Sequence, residues 1–185
     1  MSTDLELIEL DGRAREFLLL EVAENQKGNV ASMAESFADA LFPPQDGWED
    51  STTWIRGVTR GGVPAGFILC ADAPDDEKDP WIWRLLVDRE HQGIGVGKFA
   101  VECAVQRYRA LGCNQVMTAW QPGPADASGF YKKLGFVETG EMLEDEVGGH
   151  AEGSSDCGSA RKAGRAAAVR TCSRQRSSML AQPSS

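Results

Sequence analysis

Apolar residues recur with two different spacings along the chain, and these spacings predict a mixture of strands and helices. Apolar runs of four to eight residues, bounded by polar or turn residues, predict strands. They occupy residues 5–10, 52–58, 63–70, 81–87, 115–120 and 136–139. Apolar residues three and four apart predict helices. These cover residues 13–22, 32–41, 95–111 and 128–134. The order β-α-α-β-β-β-α-β-α-β predicts an α/β fold, a mixed central sheet with helices on both faces.

The pattern weakens after residue 147. Residues 144–147 begin what could be a seventh strand, but Gly148, Gly149 and His150 follow and are expected to end it. Gly, Ala and Ser supply 20 of residues 148–185, and aromatic residues are absent from them. Such a composition buries too little apolar surface to offset the entropy of ordering. We therefore predict a folded domain over residues 1–147 and a disordered tail over residues 148–185.

Charge is distributed unevenly between these two parts. Residues 148–185 hold six Lys or Arg and two Asp or Glu, which gives them a net charge of +4. Since the whole chain carries −9, residues 1–147 carry a net charge of −13. An acidic body disfavours nucleic acid and favours cationic partners. A surface of this kind would equally serve solubility. The remaining alternative is a nucleic-acid module built on the arginines of the tail, which lacks the aromatic residues that usually accompany them.

Other features limit the classes of protein and of site. We find neither an apolar run of eighteen residues nor a basic, apolar leader at the start, so we expect a cytoplasmic protein without membrane contact. Five cysteines without CxxC spacing and two distant histidines predict neither a zinc site nor a disulfide framework.

A glycine-rich segment, QGIGVGK at residues 92–98, lies between the predicted strand 81–87 and the predicted helix 95–111. Glycines at a helix start leave the backbone amides open to an anion such as a pyrophosphate. The alternative is a tight turn that uses glycine for its positive φ. The spacing matches neither the Walker phosphate loop nor the dinucleotide fingerprint, because Gln92 and Lys98 stand where each would need glycine.

The segment matches the Gln/Arg-x-x-Gly-x-Gly/Ala signature through Gln92, Gly95 and Gly97, and so resembles the GNAT family of N-acetyltransferases. The strand 83–88 resembles the family's fourth strand, and residues 128–136, SGFYKKLGF, resemble its FYxKLGF segment. The N-terminal part is most similar to the bacterial spermine/spermidine acetyltransferase branch. Acetyl-CoA is the cosubstrate that this resemblance implies.

The resemblance also implies which residues hold acetyl-CoA. Amides of the glycine-rich segment would bind its pyrophosphate, and the exposed backbone of a splayed fourth strand would pair with its pantetheine arm. Lys98 would either add charge there or remain solvated. The implied set is Leu86, Val87, Gln92, Gly93, Ile94, Gly95, Val96, Gly97 and Lys98.

Tyr131 resembles the family tyrosine that protonates the departing CoA thiolate, although a tyrosine beside Phe130 could also be a packing residue. The attacking amine must lose a proton. The sequence does not choose a base among Glu24, Glu35, Asp79 and Asp88. We expect Arg84 to pair with an acid. Tryptophans that either line an acceptor pocket or pack in the core are Trp54, Trp81, Trp83 and Trp120.

The sequence thus predicts an enzyme that moves the acetyl group of acetyl-CoA to a primary amine of a small, cationic, polyamine-like acceptor. A homodimer is compatible with the resemblance. A shortened seventh strand would favour the alternative, a catalytically weak acetyl-CoA-binding or sensor protein.

Overall fold

A computed structural model describes residues 4–27, 30–41, 48, 51–73, 78–123, 126–143 and 146–152 of the 185-residue chain. Within these ranges the chain forms seven strands and four α-helices. They are β1 Leu5–Ile8, α1 Ala14–Phe17, α2 Met33–Leu41, β2 Thr53–Arg60, β3 Val63–Ala71, β4 Trp81–Val87, α3 Val96–Ala110, β5 Gln115–Trp120, α4 Ser128–Lys133, β6 Val137–Leu143 and β7 Glu146–Glu152. Single 3₁₀ turns lie at Glu24–Gln26 and Arg89–His91.

The seven described strands form one mixed sheet in the order β1-β2-β3-β4-β5-β7-β6. Neighbouring strands are antiparallel except for β4 and β5, which are parallel. The long helix α3 connects this parallel pair, as a crossover between parallel strands requires. The predicted α/β fold is thereby confirmed.

Helices cover both faces of the sheet. The side chains of β3 point alternately to the two faces, and on each face they join an apolar cluster that also contains helix residues. Ile68 and Cys70 join the residues of α3 and α4 on one face. Phe67 and Leu69 join Phe17 of α1 and residues of α2 on the other face. Since β3 is buried on both sides, its apolar residues run almost continuously.

The first helix is shorter than predicted. We expected it over residues 13–22, but α1 spans Ala14–Phe17. The apolar residues that follow are consecutive rather than three or four apart, so Leu18 and Leu19 remain exposed. Beyond them Glu21 is tied to the loop after β4: its amide donates to Asp88 Oδ2 (3.1 Å), and its carbonyl accepts from the amide of Arg89 (2.7 Å).

The prediction that the seventh strand ends at Gly148 was wrong. β7 continues to Glu152 and lies between β5 and β6, where Gly149 pairs with Thr118. Glycine weakens a strand, but here it is required, because a Cβ on Gly149 would overlap the Trp120 ring. Residues 148–152 therefore belong to the sheet, and the rest of the predicted tail, residues 153–185, lies outside the described residues.

In the described part of the chain, no helix is both long and apolar enough to cross a membrane. Within the same ranges, no three His, Cys, Asp or Glu side chains come together as metal ligands would.

Candidate active site

The two parallel strands β4 and β5 separate after a short paired region. Their described residues pair at Trp81 with Met117 and at Ile82 with Thr118. Beyond these pairs β4 follows β3, while β5 follows β7. This confirms the expected splay, and it opens a cleft of about 1390 Å³ through the middle of the sheet.

The glycine-rich segment 92–98 forms one wall of this cleft. Six of the nine residues predicted to hold acetyl-CoA line the cleft from this segment, and a seventh lines it from β4. They are Gln92, Gly93, Gly95, Val96, Gly97, Lys98 and Val87.

The other two predicted residues, Leu86 and Ile94, do not line the cleft. The Leu86 side chain is buried in the cluster of α1 and α2, and its carbonyl lies close to Gly66 of β3. Backbone groups alternate in direction along a strand. The neighbours Leu85 and Val87 therefore direct theirs away from β3, and both line the cleft. Ile94 packs against the cluster of α3.

The three glycines of the segment serve two different purposes. Gly93 (φ +75°) and Gly95 (φ +97°) have left-handed backbone, and a Cβ on either would meet no atom within 4 Å. Gly97 lies inside α3, where a Cβ would be 3.2 Å from Phe130 and 3.3 Å from Val87. The first two therefore leave open space at the surface of the loop, and the third allows α3 to pack closely.

The start of α3 presents free backbone donors to that open space. The first helical hydrogen bond runs from the amide of Phe99 to the carbonyl of Gly95 (2.9 Å). The amides of Val96, Gly97 and Lys98 precede this ladder, as the first amides of every helix do. They lie at the positive end of the helix dipole, so the segment can hold an anion. The Lys98 side chain is exposed, with Glu102 3.8 Å away.

Gln92 connects this segment to a part of the chain far away in sequence. Its Nε2 donates to Oε1 of Gln26 (2.7 Å) and to the carbonyl of Val87 (3.2 Å). The sequence offered no reason to place Gln26 in the site. It lies in a polar turn, and only the fold brings it to the cleft.

Tyr131 belongs to α4, packs against Trp120 of β5 and lines the cleft. Its ring stacks on Trp120 with centroids 5.6 Å apart, and it meets Phe130 and Phe136 edge to face. Burial raises the pKa of Tyr131 to about 12, although contact with Thr118 acts in the opposite direction. The phenol is therefore protonated at neutral pH and can donate a proton into the cleft.

Among the four carboxylates considered as bases, Glu35 alone lines the cleft. It closes a capping box at the start of α2: Glu35 Oε2 accepts from the amide of Ser32 (2.7 Å), and the Glu35 amide donates to Ser32 Oγ (3.2 Å). Hydrogen bonds from the Ser32 side chain and backbone lower the pKa of Glu35. A carboxylate held in this way is a poor proton acceptor.

The other three carboxylates do not line the cleft, and each is engaged elsewhere. Glu24 pairs with Lys27 (2.7 Å), and Asp79 accepts from Gln115 Nε2 (2.7 Å). Asp88 accepts from the amides of Glu21 and Glu90. Burial acts to raise the pKa of Asp88, but these hydrogen bonds outweigh it and the pKa is lowered.

The expected pairing of Arg84 with an acid is confirmed, because its Nη2 donates to Asp39 Oδ2 (2.8 Å). Of the four tryptophans considered for the acceptor pocket, Trp81, Trp83 and Trp120 line the cleft. Trp54 does not line it, since its ring packs beneath the guanidinium groups of two arginines.

Several residues that line the cleft were not among the predicted ones, and two of them are a tryptophan and a carboxylate. Trp48 packs edge to face on Trp83, with centroids 5.6 Å apart. Glu146 lines the cleft at the start of β7. The acidic run 144–146 was visible in the sequence, but only the continued strand β7 shows that its last residue faces the cleft.

Comparison with known proteins agrees with this geometry. The model of the Acetyltransferase (GNAT) family matches residues 15–136. The chain is 31% identical to human N-acetyltransferase 8B over 94 residues, which is 50% of this chain and 41% of that protein. It is 32% identical to peptidyl-lysine N-acetyltransferase YjaB of Salmonella typhimurium over 99 residues, 54% of this chain and 59% of that protein. The matched segments thus span less than two thirds of either relative, and neither is named as a polyamine acetyltransferase.

Solved structures share the fold at low identity. Ard1 from Thermoplasma volcanium superposes with a TM-score of 0.60 at 18% identity, covering 82% of this chain and 99% of that one. The PaiA N-acetyltransferase of Thermoplasma acidophilum, solved with coenzyme A, gives 0.58 at 13% identity, covering 82% and 99%. The family match spans most of the described fold, including the glycine-rich segment and Tyr131, and the chain therefore belongs to the acetyltransferase (GNAT) family.

Proposed function

We propose that this protein transfers the acetyl group of acetyl-CoA to a primary amine of a cationic acceptor by direct attack in a ternary complex. One arrangement carries the proposal. The splay of β4 and β5 opens a cleft through the sheet, with amide donors at the start of α3 on its wall and the Tyr131 hydroxyl group beside it.

The residues present fit acetyl-CoA. The amides of Val96, Gly97 and Lys98 would bind the pyrophosphate, and the open space over Gly93 and Gly95 would accommodate it. The backbone groups that Leu85 and Val87 direct into the cleft would pair with the amides of the pantetheine arm, as a further strand would. When bound, acetyl-CoA supplies an activated acyl group as a thioester.

Tyr131 would donate a proton to the sulfur as the thiolate leaves. Its raised pKa, about 12, keeps the donor protonated throughout the physiological range. A thiol has an ordinary pKa near 8.5, so a free thiolate would draw little from this phenol at equilibrium. The donation is favourable only while the carbon–sulfur bond is breaking and charge builds on sulfur, which is where general acid catalysis acts.

The charge of the protein supports a cationic acceptor. Residues 1–147 carry a net charge of −13, and three carboxylates, Glu35, Asp126 and Glu146, line the cleft. A polyamine satisfies this requirement. A lysine side chain of a peptide does so as well, and the relative named peptidyl-lysine N-acetyltransferase favours it as the second candidate. Both acceptors present a primary alkylammonium group.

The experiment is a thiol-release assay with acetyl-CoA against polyamines, lysine peptides, aminoglycosides and neutral amino acids. We expect turnover with the first two classes and little with neutral amino acids. Binding of acetyl-CoA without turnover on any amine would instead support the sensor alternative. A preferred neutral or anionic acceptor would overturn the cationic assignment.

A further inference from the structure

We propose that Glu146 binds the alkylammonium group of the acceptor in the cleft and takes the proton that the nitrogen must lose before it attacks. This inference rests on the proposed acetyl transfer and assigns a residue to the step that the four predicted carboxylates do not serve.

The position of Glu146 follows from the pairing of β7 with β5. Val147 pairs with Trp120, and the Val147 side chain packs against the cluster of α3 and α4. Successive side chains in a strand point to opposite faces. Glu146 therefore points to the face that carries α1 and α2, and at the splay it reaches the same cleft as Tyr131.

The face that Glu146 points to is opposite the wall formed by the glycine-rich segment and α3. Glu35 of α2 lines the cleft from this side, and the packed pair Trp48 and Trp83 lines it as well. Indole rings and a carboxylate together suit an alkylammonium chain, which presents both a cation and methylene groups. The acceptor would then approach the thioester from the side opposite the pyrophosphate.

Glu146 is also available. Within the described part of the chain its side chain has no hydrogen bond or salt bridge. The other carboxylates on the cleft are engaged, since Glu35 caps α2 and Asp126 Oδ1 accepts from the amide and the hydroxyl group of Ser128. Hydrogen bonds from Ser128 lower the pKa of Asp126. Burial is the main cause of the raised pKa of Tyr131, and the negative charge of Glu146 also raises it.

Other charged or titratable groups also face the cleft and set its field. They are Lys27, Glu35, Arg84, His91, Lys98, Asp126 and Tyr131. Arg84 is paired with Asp39 (2.8 Å), and His91 is 3.4 Å from Asp88. Lys98 lies in the glycine-rich segment, on the wall of the cleft opposite Glu146. It therefore does not compete with the acceptor for Glu146.

Glu146 takes one proton from the ammonium, holds it while the nitrogen attacks, and releases it to solvent after the carbon–sulfur bond has broken. The freed lone pair forms the bond to the carbonyl carbon, and the electron pair of the carbon–sulfur bond leaves on sulfur. Sulfur takes the proton of Tyr131, and the second proton of the nitrogen returns to Tyr131 through Glu146. The products are the amide, CoA thiol and one proton.

The test is Glu146→Gln, which keeps the shape of the side chain and removes its basicity. We expect unchanged acetyl-CoA affinity and a loss of about 10²-fold or more in kcat/KM for a polyamine or lysine peptide. The pH profile is the sharper readout. In the parent, kcat/KM should be flat near neutrality, because the enzyme deprotonates the bound ammonium. In the variant it should rise about tenfold per pH unit, following the fraction of neutral amine in solution.

An amine that is already neutral at the assay pH, such as trifluoroethylamine, provides the second measurement. Its kcat/KM should fall much less in Glu146→Gln, since no proton must be removed before attack. Glu6→Gln, on β1 outside the cleft lining, is the matched control and should behave as the parent. An unshifted pH profile in Glu146→Gln, with the parent still active, would overturn the role of Glu146 and leave the acetyltransferase proposal standing. A parent inactive on every amine would overturn both.

Discussion

The indole of Trp120 stacks on the phenol of Tyr131, with their planes inclined by 19°. Trp120 in turn lies against Gly149, at a distance that leaves no room for a Cβ. Residues from β7, β5 and α4 are thus packed in series. The position of the proposed acid depends on a glycine that makes no contact with a substrate.

We therefore expect Gly149→Ala to displace the Trp120 ring and, with it, Tyr131. Overpacking of this kind costs about 1–3 kcal/mol in the free energy of unfolding, and kcat should fall with it. The check is a double-mutant cycle with Trp120→Phe, whose smaller ring leaves room for the new methyl group. If Gly149→Ala costs the same in both backgrounds, the two residues are not coupled.

Tyr131→Phe keeps the stacked ring and removes the proton donor. We expect kcat to fall by about 10²–10⁴-fold, because a general acid contributes about that much. The KM for acetyl-CoA should change little, since the glycine-rich segment is intact. A thioester whose thiol is more acidic needs less assistance to leave, so its kcat should suffer less from the substitution.

The chain offers a matched control, because Tyr108 is its one other tyrosine. Tyr108 is buried in α3 and donates to Asp72 Oδ1 (3.0 Å). Tyr108→Phe should lower stability by about 1.5–3 kcal/mol, as expected for a hydrogen bond to a charged group, and leave kcat nearly unchanged. Equal losses of kcat in the two variants would make Tyr131 a packing residue.

Burial also predicts how stability depends on high pH. The pKa of Tyr131 is raised to about 12 from an ordinary value near 10, so the folded protein holds this proton more tightly than the unfolded chain does. The stabilising contribution is complete below pH 10 and decreases as the pH rises toward 12. Denaturant unfolding at several alkaline pH values should show this decrease, and Tyr131→Phe should make it smaller.

Gly95→Val tests the position of the pyrophosphate. Gly112→Val is the control. Gly112 lies just beyond the other end of α3, it also has a positive φ (+81°), and a Cβ there would meet no atom within 4 Å. Both substitutions should cost about 1–3 kcal/mol of backbone strain. The dissociation constant for acetyl-CoA should rise tenfold or more in Gly95→Val alone. Equal affinities in the two variants would place the pyrophosphate elsewhere.

Two truncations test the extent of β7. A chain that ends after Gly148 loses four residue pairs with β5, from Thr118–Gly149 to Gln115–Glu152, and the buried Ala151. We expect it to unfold at lower denaturant concentration than a chain that ends after Glu152, which should keep the midpoint of the parent. Equal midpoints for the two chains would show that this half of β7 contributes little.

The elements predicted most accurately are those that can be recognised from the spacing of their own apolar residues, without knowledge of distant contacts. β4 and β5 were predicted with the bounds that the structure shows, because their apolar residues form short, dense runs. The helix predicted over residues 95–111 is α3, Val96–Ala110. The glycine-rich segment was found because backbone access to an anion requires glycine at the helix start, wherever the rest of the chain lies.

The failures have a common cause, which is that the deciding contact comes from a distant part of the chain. Glycine lowered the predicted strength of β7, and the Trp120 ring that makes Gly149 necessary lies about 30 residues earlier. The resemblance implied Leu86 as a pantetheine partner, but its pairing with β3 turns its backbone away from the cleft. Glu146 could be found only once β7 was known to continue.

The short pairing of β4 with β5 also has a mechanical consequence. Two residue pairs, the hydrogen bond from Thr118 Oγ1 to the Ile82 carbonyl (3.3 Å) and that from the Met117 amide to the Pro80 carbonyl (2.8 Å) lie together at one end of the splay. They join the two halves of the sheet, one formed by β1 to β4 and the other by β5, β7 and β6. Because this junction lies at one end of the cleft, a rotation of one half against the other would change the width of the cleft most at its far end and would break no strand pair.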